Sequence, residues 1–207
     1  MSLRVVAVTG APEELTELAD VAARTFPLAC PPGSSAADIA AFIESQLSAE
    51  RFAAYVADPD RAVLVARTDD GPILGYTMLI RGVPDDPDVQ RAVTDRPAVE
   101  LSKMYVLPEA HGTGVAAALM TAAVEHAGRL GARSVWLGVN QLNQRAQRHY
   151  AKHGFAIAGT KTFMLGARLE NDYVMVRPGG RDGRYSSSMP AAVSASRRDV
   201  ARRYFLR

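Results

Sequence analysis

The chain has 207 residues, of which 48% are hydrophobic and 22% charged, a balance that favours one compact folded domain and excludes disordered and fibrous proteins. Its longest early apolar run, residues 5–8, is too short for a signal peptide or a membrane span, so we expect a cytoplasmic protein that does not bind membranes. The single cysteine, Cys30, has no Cys or His at metal-ligand spacing, so neither an internal disulfide nor a metal is expected.

The formal net charge of +2 is unevenly distributed along the chain. From Pro178 onward seven arginines stand against two aspartates, so this segment carries +5 and residues 1–177 carry −3. Because the larger part is acidic, we do not expect it to bind nucleic acid. The chain is therefore divided into a folded domain, residues 1–177, and a basic tail, residues 178–207, that is predicted to be flexible or partly helical.

The N-terminal half predicts a strand, two helices and a hairpin, in that order. Residues 3–9 are typical of a strand, residues 13–26 carry apolar side chains at helical spacing, and a second helix follows the break at 31–33. Residues 61–67 and 73–81 are β-rich and are joined by an Asp-Asp-Gly-Pro turn, which indicates an antiparallel hairpin. The following segment, rich in Asp and Pro, is predicted to be an exposed loop, and it spans 83–97.

The C-terminal half alternates between strands and helices. A strand over 99–107 precedes a long helix over 114–130, and residues 134–140 predict a buried strand. Asn143 caps a short helix that ends near 154–155, and the last two strands, 157–165 and 171–177, form a hairpin around 166–168.

Two glycines, Gly112 and Gly114, lie between the fourth predicted strand and the first turn of the long helix. Exposed N–H groups at such a helix start bind a pyrophosphate directly. Residues 112–117 also fit the dinucleotide pattern G-x-G-x-x-A, but five residues separate Val106 from the first glycine and the next strand ends in Asn140 without an acidic residue for a ribose. These two departures disfavour a Rossmann site, and a plain structural helix cap is the other alternative.

The glycine pair belongs to a longer pattern. From His111 onward the spacing resembles the signature Arg/Gln-x-x-Gly-x-Gly/Ala of the GNAT superfamily of N-acetyltransferases, with His111 in place of the usual Arg or Gln. Residues 100–108 resemble the strand before that loop, and residues 143–155 resemble the second cofactor motif of the superfamily. Within the superfamily, residues 136–152 and 163–175 look most like the PaiA-type polyamine acetyltransferases.

The resemblance implies a fold and a co-substrate. The implied fold is α+β: a central mixed, mostly antiparallel sheet of six or seven strands, flanked by about four helices, with a splay between strands four and five. The implied co-substrate is acetyl-CoA, without a metal. The residues that the resemblance assigns to its binding are Met104, Tyr105, Val106, His111, Gly112, Thr113, Gly114, Val115, Ala116, Asn143 and Ala146.

The resemblance also implies catalytic roles. Asn143, Ala146 and Tyr150 share one helix face, and the resemblance makes Tyr150 the general acid that protonates the departing thiolate, with a buried structural tyrosine as the alternative. An amine must lose a proton to attack, and Glu100 is the candidate base, since glutamates serve there in the histone-acetylating branch and a carboxylate inside a strand is costly. An edge-strand salt bridge from Glu100 to Lys103 is one alternative, and an ordered water as the base is another.

The sequence says less about the amine that accepts the acetyl group. No serine elbow or Cys/His pair is present, so we expect direct transfer in a ternary complex, and the four aspartates of 83–97 either attract a polycation or form a solvated loop. A small polyamine-like amine is the first hypothesis; a protein N-terminus, lysine, amino acid or aminoglycoside is the second; a non-catalytic CoA-binding or nucleic-acid-binding regulator is the third. A homodimer is left open. The histidines His126, His149 and His153 fall on helix surfaces, and no chemical role is assigned to them.

Overall fold

The computed structural model of the protein describes residues 2–30, 33–69, 71–165 and 168–179. The predictions for most of the basic tail, residues 180–207, and for the turn residues 166 and 167 lie outside these ranges. No helix within them combines the length and the apolar composition that a membrane crossing requires.

The described residues form seven strands and six α-helices in mixed order. The strands are β1 (Leu3–Ala7), β2 (Arg61–Thr68), β3 (Ile73–Arg81), β4 (Ala98–Val106), β5 (Ser134–Asn140), β6 (Ala156–Leu165) and β7 (Arg168–Pro178). The helices are α1 (Pro12–Ala29), α2 (Ala36–Gln46), α3 (Ala49–Ala57), α4 (Pro87–Ala92), α5 (Val115–Arg129) and α6 (Gln144–Lys152), and a 3₁₀ turn spans Pro108–Ala110.

All seven strands belong to one sheet in the order β1-β2-β3-β4-β5-β7-β6. Every neighbouring pair is antiparallel except β4 and β5, which are parallel. That parallel contact covers only residues 98–100 of β4, opposite 134–136 of β5. Beyond it the two strands diverge, so the predicted α+β fold with a splay between strands four and five is confirmed.

Helices cover both faces of this sheet. On one face, α1 and α3 pack against β2 and β3 with α2 beside them, while α4 packs against β6 and β7. On the other face, α5 packs against β2, β3 and β4, and α6 adds Ala146 and Tyr150 to the same core. The apolar residues predicted to face inward on the long helix are buried there, among them Leu119, Ala123 and Ala127. Because both faces of the sheet are packed, the strands on either side of the splay are held in fixed positions.

Two of the helices, α3 and α4, were not predicted from the sequence. A separate α3 follows α2, because the Ser48 hydroxyl accepts a hydrogen bond from the Arg51 N–H at 3.3 Å and starts a new helix there. The helix α4 lies inside 83–97, so the loop prediction is wrong for these residues. The Asp86 carboxylate caps α4, and Pro87 occupies its first turn. Asp is favoured as an N-cap and Pro in the first turn of a helix, so the composition that suggested a loop is also typical of a helix start.

Candidate active site

The turn before α5 has a backbone that only glycine adopts without strain. Gly112 and Gly114 have φ angles of 81° and 91°, in the left-handed region, immediately before α5 begins. A Cβ atom added at either position would meet nothing within 4 Å. The glycines therefore serve the backbone conformation, and the surface beside them is open to an incoming group.

The first turn of α5 has N–H donors that find no acceptor within the helix. The helical ladder begins with the Ala118 N–H, which donates to the Gly114 carbonyl at 3.0 Å. The N–H groups of 115–117 precede that ladder and have no acceptor within the helix. With the positive end of the helix dipole at the same place, the turn is suited to an anion such as a phosphate.

The polar side chains of this turn are engaged with the turn itself. Nε2 of His111 lies 3.1 Å from the Val106 carbonyl oxygen, and the Thr113 hydroxyl donates to the Ala110 carbonyl at 2.7 Å. Because both side chains bond main-chain oxygens, an anion at the turn would be held mainly by backbone N–H groups. This arrangement explains how His111 can stand where the related signature has Arg or Gln.

Two connected hollows lie beside the turn. The outer chamber adjoins the glycine turn, and its own lining residues include His111, Ala116, Arg145 and His149. The inner chamber lies within the splay, and its own lining residues include Cys30, Lys103, Gly138, Asn140 and Asp172. The residues that line both chambers are Ala29, Met104, Tyr105, Asn143, Ala146 and Tyr150. A groove therefore runs from the anion site, past Tyr150, into the sheet.

The inner chamber exists because β4 and β5 separate. Residues 104–106 of β4 pair with β3 on one side, but on the other side they have left β5. Successive N–H groups of a strand point to opposite edges, so this stretch offers donors to the chamber as well as to β3. The sequence assigned Met104, Tyr105 and Val106 to binding, and all three line a chamber.

The start of α6 fixes three of the predicted site residues. Oδ1 of Asn143 accepts a hydrogen bond from the Ala146 N–H at 3.0 Å and so caps the helix. One face of α6 then carries Asn143, Ala146 and Tyr150 along the wall common to both chambers. Asn143 thus has a structural function as a cap in addition to its predicted contact with a ligand.

Tyr150 lies at the junction of the two chambers. Its ring packs against Phe155 in an edge-to-face arrangement, with ring centroids 5.9 Å apart. Burial raises the pKa of the Tyr150 hydroxyl to about 12, so the group keeps its proton throughout the physiological pH range. A protonated hydroxyl at this junction can act as a proton donor to a group that enters from either side.

Glu100 does not line either chamber. It is the last β4 residue paired with β5, and its side chain lines a separate small pocket with Arg61, Arg81 and Pro84 among its walls. The alternative of an edge-strand residue is wrong, because β4 lies between β3 and β5. Its suggested partner Lys103 is buried, and burial, followed by the charges of two nearby arginines, lowers the pKa of that ammonium to about 8.

The acidic segment after β3 does not present four free charges. Asp86 caps α4, Asp88 pairs with Arg91, and Asp95 pairs with Arg133 at 2.9 Å. Three of the four aspartates that suggested attraction of a polycation therefore stabilise local structure.

Several chamber residues had no role in the sequence analysis. Asp172 is buried in the inner chamber, and Arg145 and His149 line the outer one. The alternation of β7 and the spacing of α6 were visible in the sequence, but neither pattern reveals that these elements face a hollow. His149 was predicted to lie on the helix surface; instead it is half-buried, and burial, followed by the charge of His153, lowers the pKa of its imidazole.

Comparison with known proteins agrees with this geometry. Residues 18–155 match the model of the Acetyltransferase (GNAT) family. An uncharacterized N-acetyltransferase of Mycobacterium tuberculosis (strain ATCC 25618 / H37Rv) is 61% identical over 161 residues, which cover 78% of this chain and 95% of that protein. An uncharacterized N-acetyltransferase of Lactobacillus delbrueckii subsp. lactis is 26% identical over 164 residues, 79% of this chain and 91% of that protein.

Solved structures share the fold at low identity. The PaiA N-acetyltransferase from Thermoplasma acidophilum, in complex with coenzyme A, has a TM-score of 0.65 and 20% identity, over 86% of this chain and 99% of that one. NAA60 from Arabidopsis thaliana, in complex with a bisubstrate analogue, has a TM-score of 0.64 and 16% identity, over 86% of this chain and all of that one. The splayed sheet, the match over two thirds of the sequence and the close mycobacterial relative lead to one conclusion: the chain belongs to the Acetyltransferase (GNAT) family.

Proposed function

We propose that this GNAT acetyltransferase transfers the acetyl group of acetyl-CoA directly to the amine of a small, polyamine-like acceptor in a ternary complex. The observation that carries the proposal is the groove that joins the glycine turn to the two chambers past Tyr150. A diphosphate at the turn, a thioester at the junction and an amine in the inner chamber would occupy it from end to end.

The residues of the turn fit a coenzyme A diphosphate. The open space at Gly112 and Gly114 allows close approach, and the N–H groups of 115–117, which have no acceptor within the helix, supply donors. Arg145, which lines the outer chamber, adds a positive charge for a further phosphate. The PaiA enzyme, whose fold resembles this one, was solved with coenzyme A, and this supports the same ligand here.

The shared wall of the chambers fits the pantetheine arm and the thioester. Asn143 can bond an amide of the arm, and the small side chain of Ala146 leaves room for it. Main-chain N–H groups of residues 104–106 at the open edge of β4 are proposed to stabilise the charge that develops on the thioester oxygen. These assignments follow the family resemblance and the lining of the groove.

Tyr150 is proposed as the general acid of the reaction. The pKa of its hydroxyl is above that of a thiol, near 8 to 9, so donation to the thiolate is favourable only when the hydroxyl regains a proton in the same step. The attacking amine must lose protons and can supply one. The proposed role of Glu100 as base remains the sequence prediction, with an ordered water as its alternative.

A cationic acceptor is favoured by the charge of the chain. Residues 1–177 carry a net charge of −3, and the buried acidic residue Asp172 of β7 lines the inner chamber. The resemblance of residues 136–152 and 163–175 to the PaiA-type polyamine acetyltransferases is consistent with a polyamine. A protein N-terminus is the alternative to be tested against it.

A thiol-release assay with acetyl-CoA tests the proposal. The acceptors are spermidine, spermine, peptides with a free N-terminus, lysine peptides and an aminoglycoside, each at several concentrations. We expect the highest kcat/KM for a polyamine. A peptide or aminoglycoside that exceeds both polyamines by tenfold would overturn the acceptor proposal, and a failure of coenzyme A to bind in calorimetry would overturn the function.

A further inference from the structure

Asp172 is an unusual residue of the inner chamber. The residue is 2% exposed, and its Oδ1 atom is buried without a hydrogen-bond partner among the described residues. A buried carboxylate that lacks a partner is costly, so such a group persists where a ligand or a reaction needs it. Since Asp172 also lines the inner chamber, the missing partner can come from a molecule bound there.

The position of Asp172 follows from the sheet register. It pairs with Asn140, the last residue of β5, on one side and with Lys161 of β6 on the other. It therefore lies at the end of β5, where the splay from β4 is widest. Tyr105 of β4 and Tyr150 of α6 line the same chamber as Asp172.

The charged surroundings suit a base near neutral pH. Burial is the main cause that raises the pKa of the Asp172 carboxyl to about 6; the positive charge of Lys161 opposes this shift, and Glu170 adds to it. At neutral pH the carboxylate is ionised, yet it binds a proton more readily than an ordinary aspartate. The titratable groups that share its surroundings are Tyr105 of β4, Tyr150 of α6, Lys161 of β6, Glu170 of β7, and Cys30 and Lys103 of the chamber wall.

We infer that Asp172 receives the ammonium group of the acceptor in the inner chamber and accepts its proton, so that the acceptor is a primary amine that is cationic in solution. This inference rests on the proposed function. Asp172 is then a catalytic residue in addition to Tyr150. The two substrates then approach from different sides: acetyl-CoA enters from the outer chamber, and the amine approaches from the side of β7.

The reaction needs two proton transfers from the attacking nitrogen and one to the departing sulfur. The ammonium transfers one proton to the carboxylate of Asp172, and the freed nitrogen lone pair forms the N–C bond to the thioester carbonyl carbon. As the C–S bond breaks, the Tyr150 hydroxyl gives its proton to the departing sulfur and takes the second proton from the nitrogen. Asp172 then releases its proton to solvent, so the net products are the acetylated amine, the free thiol and one proton.

Asp172 is better located for this role than Glu100. Asp172 and Tyr150 line the same chamber, whereas Glu100 lines the pocket beside Arg61 and Arg81. A base must come within hydrogen-bonding reach of the amine at the moment of attack, either directly or through one water. Only a residue that faces the chamber meets this condition without a chain of waters.

The test compares three single variants of the full chain, Asp172→Asn, Glu100→Gln and Glu170→Gln, with the wild type. Kinetics are measured with acetyl-CoA and the best acceptor of the panel, and melting temperature verifies folding. We expect Asp172→Asn to lower acceptor kcat/KM by about 10²-fold. The other two should cause smaller losses; Glu170 is the matched control because it is buried on the same strand and accepts a hydrogen bond from Asn140.

The pH profile distinguishes a base from a structural residue. In the wild type, acceptor kcat/KM should fall as pH drops through about 6, because the carboxylate becomes protonated, and Asp172→Asn should lack this limb. The inference is overturned if Asp172→Asn folds and keeps more than a third of the wild-type kcat/KM for the acceptor. It is also overturned if Glu100→Gln loses more of this kcat/KM than Asp172→Asn does. Calorimetry distinguishes a failure of this inference from a failure of the proposed function. If coenzyme A binds Asp172→Asn with the same Kd as the wild type, the proposed function still stands.

Discussion

Glu100 of β4 and Trp136 of β5 form the last main-chain pair before the two strands separate. Two residues further on, Ser102 has no partner in the pairing of β4 with β3, because its neighbours Leu101 and Lys103 pair with the consecutive residues Leu79 and Met78. This β-bulge lies where β4 turns away from β5 and re-aims the side chains that follow it. The end of the parallel contact thus fixes where the inner chamber begins.

Replacement of Tyr150 by phenylalanine tests the proposed acid. We expect Tyr150→Phe to lower kcat by about 10²-fold or more, because the departing thiolate loses its proton donor, while the KM for acetyl-CoA changes little. Steady-state thiol release measures both values. The matched control is Tyr173→Phe, a partly buried tyrosine that lines neither chamber. Equal rates in Tyr150→Phe and the control would remove Tyr150 from the mechanism.

An alanine at the glycine turn tests the proposed diphosphate site. Gly114→Ala places a Cβ on a backbone with φ of 91°, which costs on the order of 1 kcal/mol even though the space is open. We expect the turn to shift and the Kd for coenzyme A, measured by calorimetry, to rise by about tenfold or more.

Gly131→Ala is the control for that experiment. Gly131 has φ of 74°, has nothing within 4 Å of an added Cβ, and ends α5 at the far side from the glycine turn. Both variants should lose similar stability, but only Gly114→Ala should lose affinity. A similar rise in Kd for both variants would mean that the loss reflects general destabilisation and not the phosphate site.

Removal of the Asp172 charge should stabilise the protein at neutral pH. Because the folded state holds this carboxyl at a raised pKa of about 6, it binds more protons than the unfolded state between about pH 4 and 6. The contribution of Asp172 to stability therefore falls as pH rises through that window. We expect Asp172→Asn to raise the melting temperature by a few degrees at pH 8, and the gain to vanish near pH 4.

Lys103 gives a prediction with the opposite dependence on pH. Its folded pKa of about 8 lies below its usual value of 10.5, so the unfolded state binds more protons between these two values and stability rises with pH there. We expect Lys103→Met, which keeps the chain length, to be more stable than the wild type at pH 7 and to lose that advantage by pH 10. Urea denaturation measures both, and exposed Lys152→Met should change stability by less than about 0.5 kcal/mol.

Much of the fold was accessible from the sequence because its signals are local. The seven strands and the long helix lie within two residues of their predicted bounds, except that β7 begins at Arg168, three residues earlier than predicted. Apolar periodicity and turn residues depend on near neighbours in the chain, so they predict elements well. The two additional helices, α3 and α4, are short and begin with Ser and Asp caps, signals that also occur in loops.

The amino-acid sequence by itself determined the glycine turn, the motif spacing along α6 and hence the family, because each of these depends on residues that are close in the chain. Only the tertiary structure decided that Glu100 faces a separate pocket and that Asp172 shares a chamber with Tyr150. Those relationships depend on strand order, on a bulge and on the point where β4 and β5 part, and strand pairing between distant segments is a property of the whole packed sheet.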